Sequence, residues 1–440
     1  MSGADINRNS SCNCSCSSKN NIKKLGVGVI GLGCRGYSMT KLILSMPDIE
    51  VRAVCDVYED RIGRMVEYIR ENAADDRKEV YTSTDYRQII GHPEVEAVLV
   101  FTSWDAHIEI CIAAMNAGKY VASEVGGAYC LEQCWELVRT YERTRVPVMM
   151  LENCCYGKNE MMILGMIRKG LFGEVVHCAG GYRHDLRDEV ALGHENRHYR
   201  LDNYMHRNGE LYPTHELGPI AKYLHINRGN RMLMLTSMSS KARGVHDWIA
   251  RNRGTEFENA DCHFAEGDIV TTCIKCAGGE TIVLTHDTTL PRAYSRGNIV
   301  AGTRGAWSED NGGILLDGMA TGGSWSHKFT PVSEFYGEHM HPLWKEYIKG
   351  GINGGHGGID YLVLRGFFEA AINRTPVPID VYDMASWMAI TCLSEDSVAM
   401  GSMPVAIPDF TAGKWLHREP LHRSRYCVEE VCEEFFDTLS

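Results

Sequence analysis

Leu25-Gly-Val-Gly-Val-Ile-Gly-Leu-Gly-Cys-Arg-Gly36 is the stretch from which the fold of this chain is read. Its first six residues make an apolar strand, and Gly31, Gly33 and Gly36 follow at the spacing of a phosphate-binding turn. In such a turn the first glycine permits the tight bend, the second lets backbone approach a pyrophosphate, and the third lets helix and strand pack closely. A helix-like stretch over 37–46 comes next, and a helix start offers free N–H groups and a positive partial charge to phosphates. The second apolar run, Val51-Arg-Ala-Val-Cys55, ends at Asp56, 20 residues past Gly36. A carboxylate there accepts hydrogen bonds from both ribose hydroxyls and repels a 2′-phosphate, which favours NAD over NADP. A structural glycine turn in a flavodoxin-like domain is the plain alternative, and the order strand, turn, helix, strand, Asp argues against it.

Strand and helix patterns keep alternating: helix over 59–72, short helix over 86–90, strand over 97–101, helix over 106–117, strand over 120–124, helix over 131–140, strand over 146–151. That alternation implies an α/β Rossmann domain with a parallel, doubly wound sheet. Beyond Glu152 the rhythm changes. A helix over 160–169 leads into successive β-like runs over 174–182, 232–239, 269–276, 281–288 and 299–303, with helices over 362–373 and 384–400. Strands that follow one another without helices between them imply an α+β domain with an open, largely antiparallel sheet. The expected division is a polar tail over 1–20, a dinucleotide-binding domain over 21–151, a substrate domain over 152–416 and an extension over 417–440.

The 440 residues, 44% of them apolar, suffice for two ordinary cores. A net charge of −12 without a long basic block opposes nucleic-acid binding. Seventeen cysteines, several inside apolar runs, point to a reducing compartment, and no apolar stretch is long enough to span a membrane. With no export signal visible, a cytoplasmic protein is expected. The tail, rich in Ser and Asn, carries Cys12, Cys14 and Cys16, whose spacing is not that of a zinc site; no metal is expected.

Three segments of the second domain are dense in groups that hold or move protons: Gly181-Tyr-Arg-His-Asp-Leu-Arg187, Asn208-Gly-Glu-Leu-Tyr-Pro-Thr-His-Glu-Leu-Gly-Pro219 and Pro291-Arg-Ala-Tyr-Ser-Arg-Gly297. Each reads as ending or interrupting a strand, where loops carry side chains into sites. A lone His or Tyr in such a place is usually structural, so the weight rests on the three together.

These segments, with Glu152-Asn-Cys-Cys-Tyr-Gly157, Ile226-Asn-Arg-Gly-Asn-Arg231, Thr285-His-Asp-Thr288, Gly355-His-Gly-Gly-Ile-Asp360 and Pro408-Asp-Phe-Thr411, closely resemble glycoside hydrolase family 109. That family is described as NAD-dependent α-N-acetylgalactosaminidases. The first 150 residues resemble the wider glucose–fructose oxidoreductase and inositol dehydrogenase superfamily. The resemblance implies hydrolysis through transient oxidation at carbon 3 of the sugar, loss of the acidified carbon-2 proton, elimination of the aglycone, water addition and re-reduction. That route is a known exception to the scheme of two paired carboxylates.

By the same resemblance His215 takes the carbon-3 hydroxyl proton with Tyr212 beside it, Tyr182 is the base at carbon 2, and Glu152 assists the leaving group or the water. A phenol with an ordinary pKa near ~10 is a poor base, so Arg183 or Arg187 is expected to favour its anion. Arg200, Tyr212, Pro213, Thr214, His215, Tyr182 and Tyr294 resemble substrate contacts. Cys34, Arg35, Asp56, Trp104, Asp105, His107, Glu124, Val125, Asn153 and Tyr212 resemble cofactor contacts, alongside Gly31, Gly33 and Gly36. The partner implied is a small-molecule or glycan-terminal sugar, with no nucleic acid and no membrane; a homo-oligomer is allowed by the sequence.

Two departures matter. Glu124-Val125-Gly126 replaces the Glu-Lys-Pro of the superfamily's dehydrogenases, removing their proton-handling Lys, and Glu216 stands where the narrower family has Gly, a change expected to reshape the pocket. The alternatives are a net sugar or inositol dehydrogenase, which the missing Lys argues against, and a non-catalytic dinucleotide sensor, which the three dense segments argue against.

Overall fold

The computed structural model describes residues 24–72, 79–319, 328–418 and 423–436. The tail with Cys12, Cys14 and Cys16 lies outside the described residues. Six strands, β1 (Leu25–Ile30), β2 (Ile49–Cys55), β3 (Tyr81–Ser83), β4 (Ala97–Val100), β5 (Tyr120–Ser123) and β6 (Val148–Met150), form one sheet in the order β3-β2-β1-β4-β5-β6. Every pair in it is parallel. Helices cover both faces, so these strands read as continuous apolar runs and not as alternation. Strand order reverses between β1 and β4, and the crevice at that switch point receives the glycine turn. The helix after the turn runs Cys34–Leu44, three residues earlier than its hydrophobic periodicity suggested, because the glycine turn itself supplies the helix's first residues.

The second sheet contains β7 (Val175–Arg183), β8 (Met232–Ser239), β9 (Ile269–Cys276), β10 (Thr281–Asp287), β11 (Ile299–Gly302), β12 (Gly305–Ser308), β13 (Gly313–Leu316), β14 (Thr330–Pro331) and β15 (Val405–Ala406). Its order is β14-β13-β12-β11-β7-β10-β9-β8-β15, antiparallel throughout except for the parallel pair β7 and β10, where Tyr182 stands opposite His286. Strands β12 to β15 have two to four residues each, too short to show a period. The segment over 208–219, expected as a loop interrupting a strand, is instead a turn entering the helix Thr214–Tyr223.

A 19-residue helix, Val381–Ala399, packs on β6 of the first sheet and on β8 of the second. It is apolar around most of its circumference because it is covered from both sides. Asp383 on this helix and Glu429, from 423–436, meet the buried ammonium of Lys222 at 2.6 Å each. Arg228 joins them, 2.6 Å from Glu429. Burial works against the Lys222 charge, but the two carboxylates overcome it and raise its pKa. Every cysteine among the described residues is a free thiol, and among them no helix is long and apolar enough to cross a membrane.

Replacing Lys222 leaves two buried carboxylates sharing one arginine. Lys222→Met is expected to cost about 3–5 kcal/mol of stability, read from denaturant unfolding; a loss below about 1 kcal/mol would show that the cluster does not hold the C-terminal segment in place.

Candidate active site

A cavity of about 1760 Å3 opens where the carboxyl ends of β1, β2 and β4 face the second sheet. On the first-sheet side its wall contains Gly31, Gly33, Cys34, Arg35 and Asp56, with Glu124, Val125 and Asn153 further in. Gly31 has φ +94°, and a Cβ on it would meet the Phe101 carbonyl carbon at 2.5 Å, so the bend admits only glycine. A Cβ on Gly33 would find nothing nearer than an Arg61 nitrogen at 3.5 Å. Gly33 caps the Cys34–Leu44 helix without a side-chain hydrogen bond, which leaves first-turn N–H groups available to an anion. Asp56 accepts from the Leu32 N–H at 2.7 Å and the Tyr58 N–H at 3.0 Å. An open glycine cradle, unpaired helix N–H groups and a carboxylate at the end of β2 fit a dinucleotide.

Arg35 ties this turn to the second domain. Its Nε donates to Glu124 at 2.7 Å, and its two terminal nitrogens donate to the Asp360 carboxylate at 2.9 Å each. Asn153 and His356 also contact Asp360, at 2.7 and 2.8 Å. Burial acts to raise the Asp360 pKa, yet His356 and Arg35 hold it below the usual carboxylate range.

The inner end of the cavity belongs to the second domain. His215, in the first turn of the Thr214–Tyr223 helix, places Nδ1 2.8 Å from Oε1 of Glu152, the second residue after β6. Glu152 is fully buried and its Oε1 also accepts the Cys154 N–H at 3.1 Å. Burial opposes its charge, but His215 and these hydrogen bonds keep its pKa below that of an ordinary glutamate. Tyr182, on β7, has its hydroxyl 3.1 Å from Nδ1 of His184. Burial pushes the Tyr182 phenol up while Arg200 opposes the rise. Burial, helped by Arg200, lowers the His184 pKa, so this imidazole is neutral at pH 7.

Arg200 sits over the rings of Trp104, Tyr182 and Tyr212 at 5.5, 5.9 and 5.2 Å and pairs with Glu189. Tyr212 stacks on Trp104 at 5.5 Å and meets the His215 ring edge-on at 5.0 Å.

Most of the residues singled out from the sequence meet here: Gly31, Gly33, Cys34, Arg35, Asp56, His107, Glu124, Val125, Asn153, Tyr182, Arg200, Tyr212, His215 and Tyr294 all line the cavity. Six others stand behind it or away from it. Gly36 packs helix on turn, since a Cβ there would lie 1.9 Å from the Gly31 carbonyl oxygen. Trp104 supports Tyr212 and Tyr199 from behind, and Asp105 is exposed, accepting from Ser103. Pro213 and Thr214 are buried at the helix start, outside the cavity wall, and Glu152 reaches it only through His215.

Arg183 pairs with Asp310 and Arg187 with Asp185, so neither supports a Tyr182 anion; the cation acting on that phenol is Arg200. Glu216 does not line the cavity, though its charge acts on Arg296, which does. It turns under the second sheet, where a Cβ on Gly180 would fall 1.8 Å from its Cγ, and it accepts from Asn298. Burial raises its pKa well above an ordinary glutamate's. His184, Glu189 and Arg296 line the cavity without having been singled out. For His184 a signal was present: side chains two apart on a strand share a face, so Tyr182 and His184 point together and Arg183 points away.

Residues 25–152 match the family model described as an oxidoreductase family with an NAD-binding Rossmann fold, and residues 156–417 match that of the glycosyl hydrolase 109 C-terminal domain. An α-N-acetylgalactosaminidase of Tannerella forsythia is 38% identical over 417 residues, covering 90% of this chain and 88% of that one. Another of that name from Shewanella oneidensis is also 38% identical, over 399 residues, covering 90% and 87%. Among solved structures, a myo-inositol 2-dehydrogenase from Lactobacillus plantarum superposes with a TM-score of 0.60 at 15% identity, over 88% of this chain and 100% of that one. A levoglucosan dehydrogenase in complex with NADH and levoglucosan gives 0.61 at 18% identity, over 88% and 100%. These structures share the fold.

Gly33→Val tests the cradle. Its side chain finds room in the protein but projects where a pyrophosphate would lie. The variant is expected to keep its melting temperature and to bind NADH about 10- to 100-fold more weakly, the ~1–3 kcal/mol of an overpacked contact, read by nicotinamide fluorescence; unchanged binding would remove the turn from the site.

Proposed function

The chain belongs to glycosyl hydrolase family 109, and from that premise we propose that it hydrolyses terminal α-N-acetylgalactosaminides or closely related glycosides with a nicotinamide cofactor that is used and restored in each turnover. Asp56 in the wall at the end of β2 supports NAD over NADP, because its carboxylate would repel a 2′-phosphate. Gly31, Gly33, Arg35, Glu124, Val125 and Asn153 are the residues to hold it. Bound there, NAD supplies a reversible hydride acceptor for carbon 3 of the sugar, and a ketone at that carbon acidifies the proton on carbon 2.

The observation that carries this reading is how the cavity's inner carboxylates are occupied. Glu124 and Asp360 are held by Arg35, Glu160 by Arg296, and Glu189 by Arg200. Of the other two carboxylates in the described wall, Asp56 accepts the Leu32 and Tyr58 N–H groups and Glu109 accepts the Tyr86 hydroxyl, so each wall carboxylate already has a partner, whereas ordinary glycoside hydrolysis uses two that are open to substrate and water. The groups left to move protons are His215 and the Tyr182–His184 pair.

An ionised Glu152 can only accept, so the His215 proton sits on Nδ1 and the Nε2 lone pair is left to take the proton of the carbon-3 hydroxyl. Glu152 is thus a positioning residue. Tyr182 takes the carbon-2 proton while its own phenol proton passes to the neutral His184, which avoids forming a free phenolate at neutral pH. Arg200 stabilises negative charge that develops on the phenol oxygen. Departure of the aglycone from carbon 1 follows, water adds to the resulting double bond, and the same groups return their protons. A net dehydrogenase would instead accumulate NADH in proportion to product.

Because the His184 pKa is lowered, the neutral imidazole persists through pH 7, and the relay fails only as pH drops below the ordinary histidine range near ~6.5. Exchange of the carbon-2 proton, followed in deuterated water across pH, is expected to be flat near neutrality and to fall on the acid side. His184→Gln is expected to slow it about 10²- to 10⁴-fold. Hydrolysis without deuterium at carbon 2 would rule the elimination out.

A further inference from the structure

The geometry points to a binding site for a thiophilic divalent cation on the floor of this cavity, formed by Glu152, Cys154 and His215. One ligand atom from each of the three lies within 4.8 Å of the others. Two of the three side chains, Cys154 and His215, line the cavity, so an ion has a way in. The third, Glu152, is fully buried; the Thr214 hydroxyl acts on its carboxylate, yet neither that hydroxyl nor Oε2 makes a hydrogen bond of proper geometry. A buried carboxylate oxygen left bare is costly, and a cation is a group that would satisfy it.

The donor set selects the ion. Zinc takes a thiolate at ~2.3 Å, an imidazole nitrogen at ~2.0–2.1 Å and a carboxylate oxygen at ~2.0–2.2 Å, in a tetrahedron whose fourth position is open when three protein ligands are present. Side chains spread over 4.8 Å need to draw in by roughly an ångström to reach those distances. A thiolate with an imidazole favours zinc or cadmium, whereas magnesium and calcium seek oxygen ligands. Binding displaces the Cys154 thiol proton to solvent, and thiolate plus carboxylate balance the two positive charges. Arg296, whose charge acts on Cys154, is already neutralised by Glu160.

The consequence rests on the proton role given to His215 above. An imidazole bound to the metal is withdrawn from its place between Glu152 and substrate, so zinc inhibits hydrolysis. Metal binding itself does not depend on that role, and the two are separable by experiment.

The test uses the full, NAD-loaded chain with Cys12, Cys14, Cys16, Cys427 and Cys432 replaced by Ser, because the tail thiols and the contacting Cys427–Cys432 pair are themselves soft-metal donors. Cadmium is expected to give a thiolate-to-metal absorption band that saturates at one equivalent. The band should vanish in Cys154→Ala and in the nearly isosteric Cys154→Ser, and Glu152→Gln should weaken binding about tenfold or more. Zinc should inhibit, chelator should restore activity, magnesium should do neither, and Cys154→Ser should raise the half-inhibiting zinc concentration about tenfold or more, measured against that variant's own metal-free rate. Absence of a band that depends on Cys154 overturns the site. A Cys154-dependent band in a protein with no glycosidase activity upholds the site and defeats the functional reading instead.

Discussion

A buried carboxylate that must find its partner in another domain sets the terms for the rest of this structure. Glu152 emerges two residues after β6 of the dinucleotide-binding sheet and is fully removed from water. His215 comes to it from a helix of the second domain. A charge so buried and left unpaired would cost several kcal/mol, so the contact forms only when the two domains close on each other as they do here. That closure fixes which imidazole nitrogen faces the cavity. It also brings a proton acceptor to the inner end of the crevice. The same floor carries the cluster with Cys154, since a carboxylate aimed at an imidazole and flanked by a thiol is a ligand set as well as a positioning device.

The opposite end of the cavity is tied by a second inter-domain contact of the same kind. Arg35 stands inside the glycine turn yet spends its charge on Glu124 and Asp360, and Asp360 opens the helix that follows the glycine-rich loop over 354–358. The helix Val381–Ala399 also joins the two domains, apolar almost all round because each sheet covers one side of it. Packing and electrostatics therefore work together. The helix supplies apolar burial that holds the sheets at a fixed distance, and the two polar ties set their orientation within it.

The first domain was legible in the sequence because its fold is written in a strong local code: continuous apolar strands, a glycine turn whose spacing has a stereochemical reason, and a carboxylate at the end of β2. The antiparallel character of the second sheet was legible from strands without helices between them. Its edge strands were not, since β14 and β15 have two residues each and carry no period. The site was legible as a set of residue types, and the resemblance to family 109 gave them roles. Orientation was the missing quantity. Pro213, Thr214, Trp104 and Asp105 sit beside true wall residues in sequence and turn away from the cavity on their helices. Arg183 and Arg187 are next to Tyr182 in sequence but pair with Asp310 and Asp185, while the cation that reaches the phenol, Arg200, comes from a separate helix. Glu216 marks a departure from the family and packs from its helix against Gly180 of β7, a pairing that no local pattern encodes.

The central claim is that bond cleavage at carbon 1 requires prior, reversible oxidation at carbon 3 beside His215. A glycoside carrying deuterium at carbon 3 tests it most directly. The account predicts a primary isotope effect on turnover or on the pre-steady-state rate, with the label recovered at carbon 3 of the released sugar. Hydrolysis at the same rate as the unlabelled glycoside in both phases would show that the carbon-3 bond is never broken and would contradict it.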